Sequence, residues 1–167
     1  MKIFLTLIAL TLLVAPAIAD HHEGGQPAAG EMPPMGKPAE MDELSFLHGE
    51  WTVDMKYKMD PAGEWMTTTG TAVSKPVLNG CANRMEFSAD MMGMPFKGVD
   101  HTTYNRETGQ YESVWIDDMG AKMSMMSGGF EGDKIVMTGT DMWQGQKFHT
   151  KSVATKVSDD EVQWSMY

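Results

Sequence analysis

The sequence predicts an all-β domain of roughly nine short strands, built as a sandwich or an antiparallel up-and-down barrel and opened by a short helical turn. Three observations carry this. From Trp51 onward, apolar and polar residues alternate with a period of two. Clusters of Gly, Asn, Asp and Pro interrupt the alternation at the spacing of about 8–12 residues typical of sandwiches and barrels. After the N-terminal segment no stretch is long enough, at a 3.6-residue period, to make a long helix.

Taken in order, Met41 to Leu47 can form one or two helical turns, with Leu44 and Leu47 on one side. Trp51, Val53, Met55, Tyr57 and Met59 then alternate with Thr52, Asp54, Lys56 and Lys58, the pattern of a half-buried strand. Asp60-Pro61-Ala62-Gly63 turns the chain. A Thr-rich extended stretch runs from Trp65 to Lys75, and Asn79-Gly80 marks a tight turn. Strands follow at Arg84 to Ala89, Phe96 to Tyr104, Tyr111 to Ile116, Met123 to Ser127, Lys134 to Thr138, Lys147 to Val157 and Val162 to Tyr167. The turns between them are Gly93-Met94-Pro95, Asn105 to Gly109, Asp117 to Gly120, Glu131 to Asp133 and Ser158 to Asp160.

The N-terminal segment reads differently. Lys2 is followed by a 13-residue apolar run, Ile3 to Ala15, and then by small residues at Ala17 and Ala19. A positive start, an apolar stretch and an Ala-x-Ala site make a secretory signal peptide over residues 1–19. The run is shorter than the roughly 20 residues a spanning helix needs, so membrane insertion after cleavage is not expected. Cleavage after Ala19 starts the mature chain at Asp20, and cleavage after Ala17 is the alternative. Residues 20–40 are rich in Gly, Pro and Ala, with too few bulky apolar groups to offset ordering, so they read as a disordered leader. The barrel domain then spans residues 41–167.

Two groups of residues resemble known families. Gly49-Glu50-Trp51, at the start of the first strand, resembles the Gly-x-Trp signature of lipocalin-type barrels. There the glycine bends the chain into the strand and the tryptophan plugs the closed end. Met91-Met92-Gly93-Met94-Pro95-Phe96-Lys97-Gly98, Tyr104-Asn105, Tyr111 and Trp115-Ile116-Asp117-Asp118-Met119-Gly120 together resemble the bacterial family known as domain of unknown function 1579. The resemblance runs from about Met41 to the end and implies a lipocalin-like antiparallel up-and-down barrel of about nine to ten strands. It implies no established activity and no catalytic residues. Family members have Gly-Tyr-Asp where this chain has Thr103-Tyr104-Asn105. They also continue into another turn and strand beyond the equivalent of Tyr167, so a missing final strand or an exposed sheet edge is expected here.

Charge and cysteine content narrow the function. The formal charge is −10, and −11 once Lys2 leaves with the signal. Such a surface repels nucleic acid and anionic lipid. The one cysteine, Cys81, excludes an internal disulfide, and a lone thiol in an exported protein is expected to be buried. No Gly-x-Ser-x-Gly, His-Glu-x-x-His, phosphate-binding glycine loop or Rossmann fingerprint occurs, so the sequence offers no catalytic motif and implies no organic cofactor.

What remains is binding. A barrel of eight to ten strands either fills its interior or holds one small ligand. Trp51, Met55, Tyr57, Phe87, Phe96, Tyr104, Trp115, Met123 and Met125, with Met85, are the candidates to line such an interior, and the plainer alternative is that they simply pack a core. Methionine is abundant, 18 residues, in clusters at Met32 to Met35, Met91 to Met94 and Met123 to Met126. Thioethers are soft ligands for Cu(I), but alternation sends Met125 and Met126 to opposite faces, and methionine as core filler in place of scarce leucine is the plainer reading. A mature N-terminus Asp20-His21-His22 would offer its amine, backbone amides and the His22 imidazole to Cu(II). His48, His101 and His149 read as single surface or core histidines. The sequence therefore favours an exported, periplasmic or secreted barrel that holds a small apolar molecule. The alternatives are a copper-binding protein using Asp20, His21, His22 and methionines, and a structural or interaction domain without ligand.

Overall fold

The computed structural model describes residues 34–58, 63–143 and 145–167. The signal peptide, residues 20–33 of the leader, Met59, the turn residues Asp60 to Ala62 and Gln144 lie outside these. The compact unit runs from Gly36 to Tyr167. A 3₁₀ segment, η1 (Ala39–Leu47), precedes nine strands: β1 (Gly49–Tyr57), β2 (Met66–Val77), β3 (Ala82–Met91), β4 (Met94–Asn105), β5 (Gln110–Asp117), β6 (Met123–Glu131), β7 (Lys134–Trp143), β8 (Gln146–Lys156) and β9 (Val162–Met166). A short 3₁₀ turn, η2 (Leu78–Gly80), links β2 to β3.

Every strand pairs antiparallel with its sequence neighbours, giving one sheet in the order β1 to β9. The sheet curls into a half-barrel. The all-β, up-and-down architecture expected from the alternation is thus present, with β1 and β9 as its two ends among the described residues. All nine expected strands appear. The helical turn is there too, wound as 3₁₀ and starting at Ala39.

β2 to β7 are longer than the sequence reading gave them. β6 was expected to stop at Ser127 and β7 at Thr138, just short of Gly128, Gly129 and Gly139, and both run on through these glycines. Two of these glycines sit where neighbouring backbones press closest. A Cβ on Gly128 would lie 2.0 Å from the Val136 carbonyl oxygen, and one on Gly139 would lie 2.3 Å from that of Met125. Strand glycines here mark tight approach in a bending sheet.

Register fixes which side chains share a face, because directly paired residues in antiparallel strands point the same way. Starting from Trp51, the pairs Trp51–Ala72, Ala72–Phe87, Phe87–Gly98, Asp100–Trp115, Trp115–Ser124, Met126–Gly139 and Gly139–Thr150 trace one continuous face. This is the inner face, because η1 packs on it. Met41 and Leu44 of η1 are buried with Tyr111, Ile135, Met137 and Ala154, all inward residues, and Phe46, Leu47, Tyr104, Met126, Phe130 and Val162 pack around them. The Tyr111 hydroxyl donates to the Glu40 carbonyl at 2.6 Å and lies 3.2 Å from the Glu43 carboxylate. Burial first, and then these carboxylates, push its pKa upward.

The Gly-x-Trp residues act at this same end. Gly49 has φ +137, a conformation open to glycine, and the Trp51 indole N–H donates to the Leu47 carbonyl at 2.9 Å, tying the end of η1 to the first strand. One end of the half-barrel is therefore filled by η1. The opposite end, where β3 meets β4, β5 meets β6 and β7 meets β8, holds no part of η1.

Candidate functional site

Toward that second end the inner face carries aromatic side chains that the core does not absorb. Phe87 and Phe96 meet edge-on with centroids 5.9 Å apart, and both approach the Trp115 ring, at 6.5 and 6.4 Å. All three are half-buried. Their arrangement depends on Gly98 of β4, which lies between Phe96 and Asp100 in the inward phase. The Trp115 indole lies flat against it: a Cβ there would sit 2.0 Å from Trp115 Cζ2. The ring is also held at its edge. Trp115 Nε1 donates to Asp117 Oδ2 at 2.8 Å, while Asp117 Oδ1 accepts the backbone N–H groups of Met119 (3.0 Å) and Gly120 (2.5 Å). Asp118 Oδ1 accepts the Lys97 N–H at 3.0 Å. The acidic pair Asp117-Asp118 therefore builds the β5–β6 turn, and that turn orients the tryptophan.

Seven of the nine expected lining residues share this face: Trp51, Met55, Tyr57, Phe87, Phe96, Tyr104 and Trp115. Tyr104 belongs to the filled end, stacked edge-on against Tyr111 at 5.1 Å. Met123 and Met125 are a correction. They lie on the outer face, 70 and 66 % exposed, because pairing of Trp115 with Ser124 turns Ser124 and Met126 inward instead. Cys81 is half-buried, less enclosed than expected. Asp20, His21 and His22 lie outside the described residues. Among the described residues, no three of His, Cys, Asp and Glu converge as a metal site would require.

Two polar groups on the inner face were not anticipated. The first is Asp100, directly opposite Met85 on one side and Trp115 on the other. Thr102 Oγ1 donates to Asp100 Oδ1 at 2.6 Å, and the Ser113 hydroxyl is a further hydrogen-bond partner. Burial raises its pKa, against the pull of these hydroxyls and of neighbouring His101. A signal for it does exist in the sequence: Asp100 is in phase with Phe96, Gly98 and Tyr104, and so on the strand's inner side.

The second group is Asp141 near the open end. Lys122 Nζ donates to its Oδ1 at 2.5 Å and to the Met142 carbonyl at 2.9 Å, and Ser124 Oγ donates to Oδ2 at 2.6 Å. Burial alone would raise this carboxyl's pKa, but Lys122, Ser124 and the Met142 N–H outweigh it and hold the pKa below the ordinary 3.8. A carboxyl with a depressed folded pKa stabilises the fold above its unfolded value and loses that contribution as pH falls through the folded one. Asp141→Ala is expected to cost about 1 kcal/mol in urea denaturation at neutral pH, discounted for solvent at the rim. The deficit should shrink steadily as the pH drops below 3.8; a deficit that stays constant down to strong acid would assign it to packing alone.

Two shallow, open recesses lie elsewhere. One of about 570 Å³ is lined by Thr138, Thr140, His149, Lys151 and Tyr167 among others, and one of about 430 Å³ lies near Gly109, Ser127 and Glu131. Neither includes Phe87, Phe96 or Trp115. Neither brings aromatic rings together with convergent polar groups as the trough does. On chemistry the aromatic trough is the stronger site.

An up-and-down antiparallel sheet curled around an aromatic inner face, with a helical turn plugging one end behind a Gly-x-Trp strand, is a lipocalin-like architecture. The sequence pattern of a family described as protein of unknown function (DUF1579) matches residues 38–167, and the chain belongs to that family. No curated protein matches the sequence.

Proposed function

We propose that this chain is an exported protein whose inner face binds a small, largely apolar molecule between the strands. The observation that carries this reading is the Phe87–Phe96–Trp115 cluster. Its three rings touch one another yet stay half-exposed, at the end of the inner face that η1 leaves uncovered. Rings needed only for the core would be buried as Tyr111 is, at 2 % exposure. Phe148, Trp164 and Met166 continue the same face across β8 and β9 and are also exposed, at 40, 53 and 54 %. Exposed apolar side chains on the inner face of a curled sheet, with the polar Ser124–Asp141–Lys122 group between β5 and β8, supply the apolar lining and few polar groups of a binding site. Export is supported by the signal-like residues 1–19 and would place the ligand outside the cytoplasm.

The test is titration with N-phenyl-1-naphthylamine, a neutral apolar fluorophore. Its emission should rise and shift to the blue on binding. Phe87→Ala should weaken binding by about tenfold, the loss expected from removing an aromatic wall. No emission change with the unsubstituted chain would sink the proposal and leave a packed structural domain as the better reading.

A further inference from the structure

We infer that the molecule held in this trough carries a cationic amine, seated on the Asp100 carboxylate beside the Trp115 indole. The inference rests on the trough being a binding site and adds the chemical class of the head group.

Asp100 is a part-buried carboxylate on the inner face, between Met85 and Trp115 across the two strand pairings, with Gly98 and the ring of Trp115 next to it toward the open end. Among the described residues the ion pairs are Lys37–Asp42, Arg84–Glu86, Lys122–Asp141 and Lys156–Asp159, and Asp100 belongs to none. Lys122, on the β6 side of the trough, is already held by Asp141 and the Met142 carbonyl. His101 neighbours Asp100 in sequence but lies on the outer face. Among the described residues its hydrogen-bond partners are two hydroxyls, Thr102 and Ser113. A carboxylate accepts about four hydrogen bonds, so acceptor capacity remains.

A part-buried carboxylate without a counter-charge among the described residues is held at a cost, and burial biases the group toward its neutral form. A cation seated in the trough would offset that cost. A bare metal ion is a poor match, because no group of three His, Cys, Asp or Glu side chains converges among the described residues. An organic ammonium matches both halves of the site. It donates charge-assisted hydrogen bonds to Asp100, and its flanking carbons lie against aromatic faces, which attract cations at close range. Its apolar body would extend over Phe87 and Phe96. The chain's formal charge of −10 favours approach of a cation from solution.

Isothermal titration of the full chain with two probes of one shape tests this: 1-naphthylmethylamine, an ammonium at neutral pH, and 1-naphthalenemethanol. The amine is expected to bind about ten- to a hundredfold tighter than the alcohol, the range of one charge-assisted hydrogen bond. Asp100→Asn should bring the two within about twofold, chiefly by weakening the amine. Asp100→Leu removes the charge and repeats the comparison should the amide variant not fold. Equal affinities in the unsubstituted chain, or a preference that survives both variants, would overturn the inference and leave the trough reading standing, since both probes still bind. Failure of both probes to bind would remove the trough reading and this one together.

Discussion

Gly98→Val is expected to lower the stability of the domain by about 3 kcal/mol and its melting temperature by on the order of 10 °C. The reason is local. The Trp115 indole occupies the space a side chain would need, with Cζ2 at 2.0 Å and Cη2 at 2.3 Å from the position of a Cβ. The ring cannot swing away freely, because its N–H is fixed to Asp117, and Asp117 is fixed to the turn. The strain therefore spreads to the strand pairing itself or breaks the Trp115–Asp117 bond. A double variant with Trp115→Leu should recover much of the loss, since the two positions share one volume and their effects cannot add. Calorimetric melting of both variants checks this. A Gly98→Val protein that melts with the unsubstituted chain would mean that the ring does not lie where the geometry puts it.

The second large effect is expected at the other end. Leu44→Ala should cost about 2–5 kcal/mol, from lost burial plus the cavity left behind. Leu44 is the most enclosed large side chain described, at 1 % exposure, and it joins η1 to Tyr111, Ile135, Met137 and Ala154. A half-barrel has few such positions. Most of its inner-face residues are only half-buried, so the plug carries a large share of the apolar stabilisation. Chemical denaturation should show the fall, with Leu47→Ala, at a partly buried site, costing clearly less. Equal small losses at both would show that η1 does not anchor the fold.

The strands were legible in the sequence because each alternating run is bounded by a residue pair that favours a turn, such as Asn79-Gly80 or Gly132-Asp133. The inner face was less so. In β6 methionine occupies both phases, at Met123 and Met125 and again at Met126, and period-two alternation cannot choose between them. The choice is made by the neighbouring strand: Trp115 pairs with Ser124, which commits Met126 and Phe130 inward and leaves Met123 and Met125 in solvent. Asp100 escaped for a different reason. A carboxylate in a strand is ordinarily taken as solvent-facing, and only its phase with Phe96 and Tyr104 says otherwise. Gly128 and Gly139 sit at close backbone approaches, and the expected β6 and β7 stopped just before them.

The strictly sequential strand order bears on how the molecule assembles. Each strand finds its partner next along the chain, so the sheet can grow one hairpin at a time without closing a long loop, a low-contact-order route for an all-β protein. The plug is the exception. The bond between Tyr111 and Glu40 joins residues 71 positions apart, and Ile135 and Ala154 lie farther still from Leu44. That closure becomes favourable only once β5, β7 and β8 already stand side by side, so the order of folding runs from local hairpins to a late docking of η1 that locks the filled end.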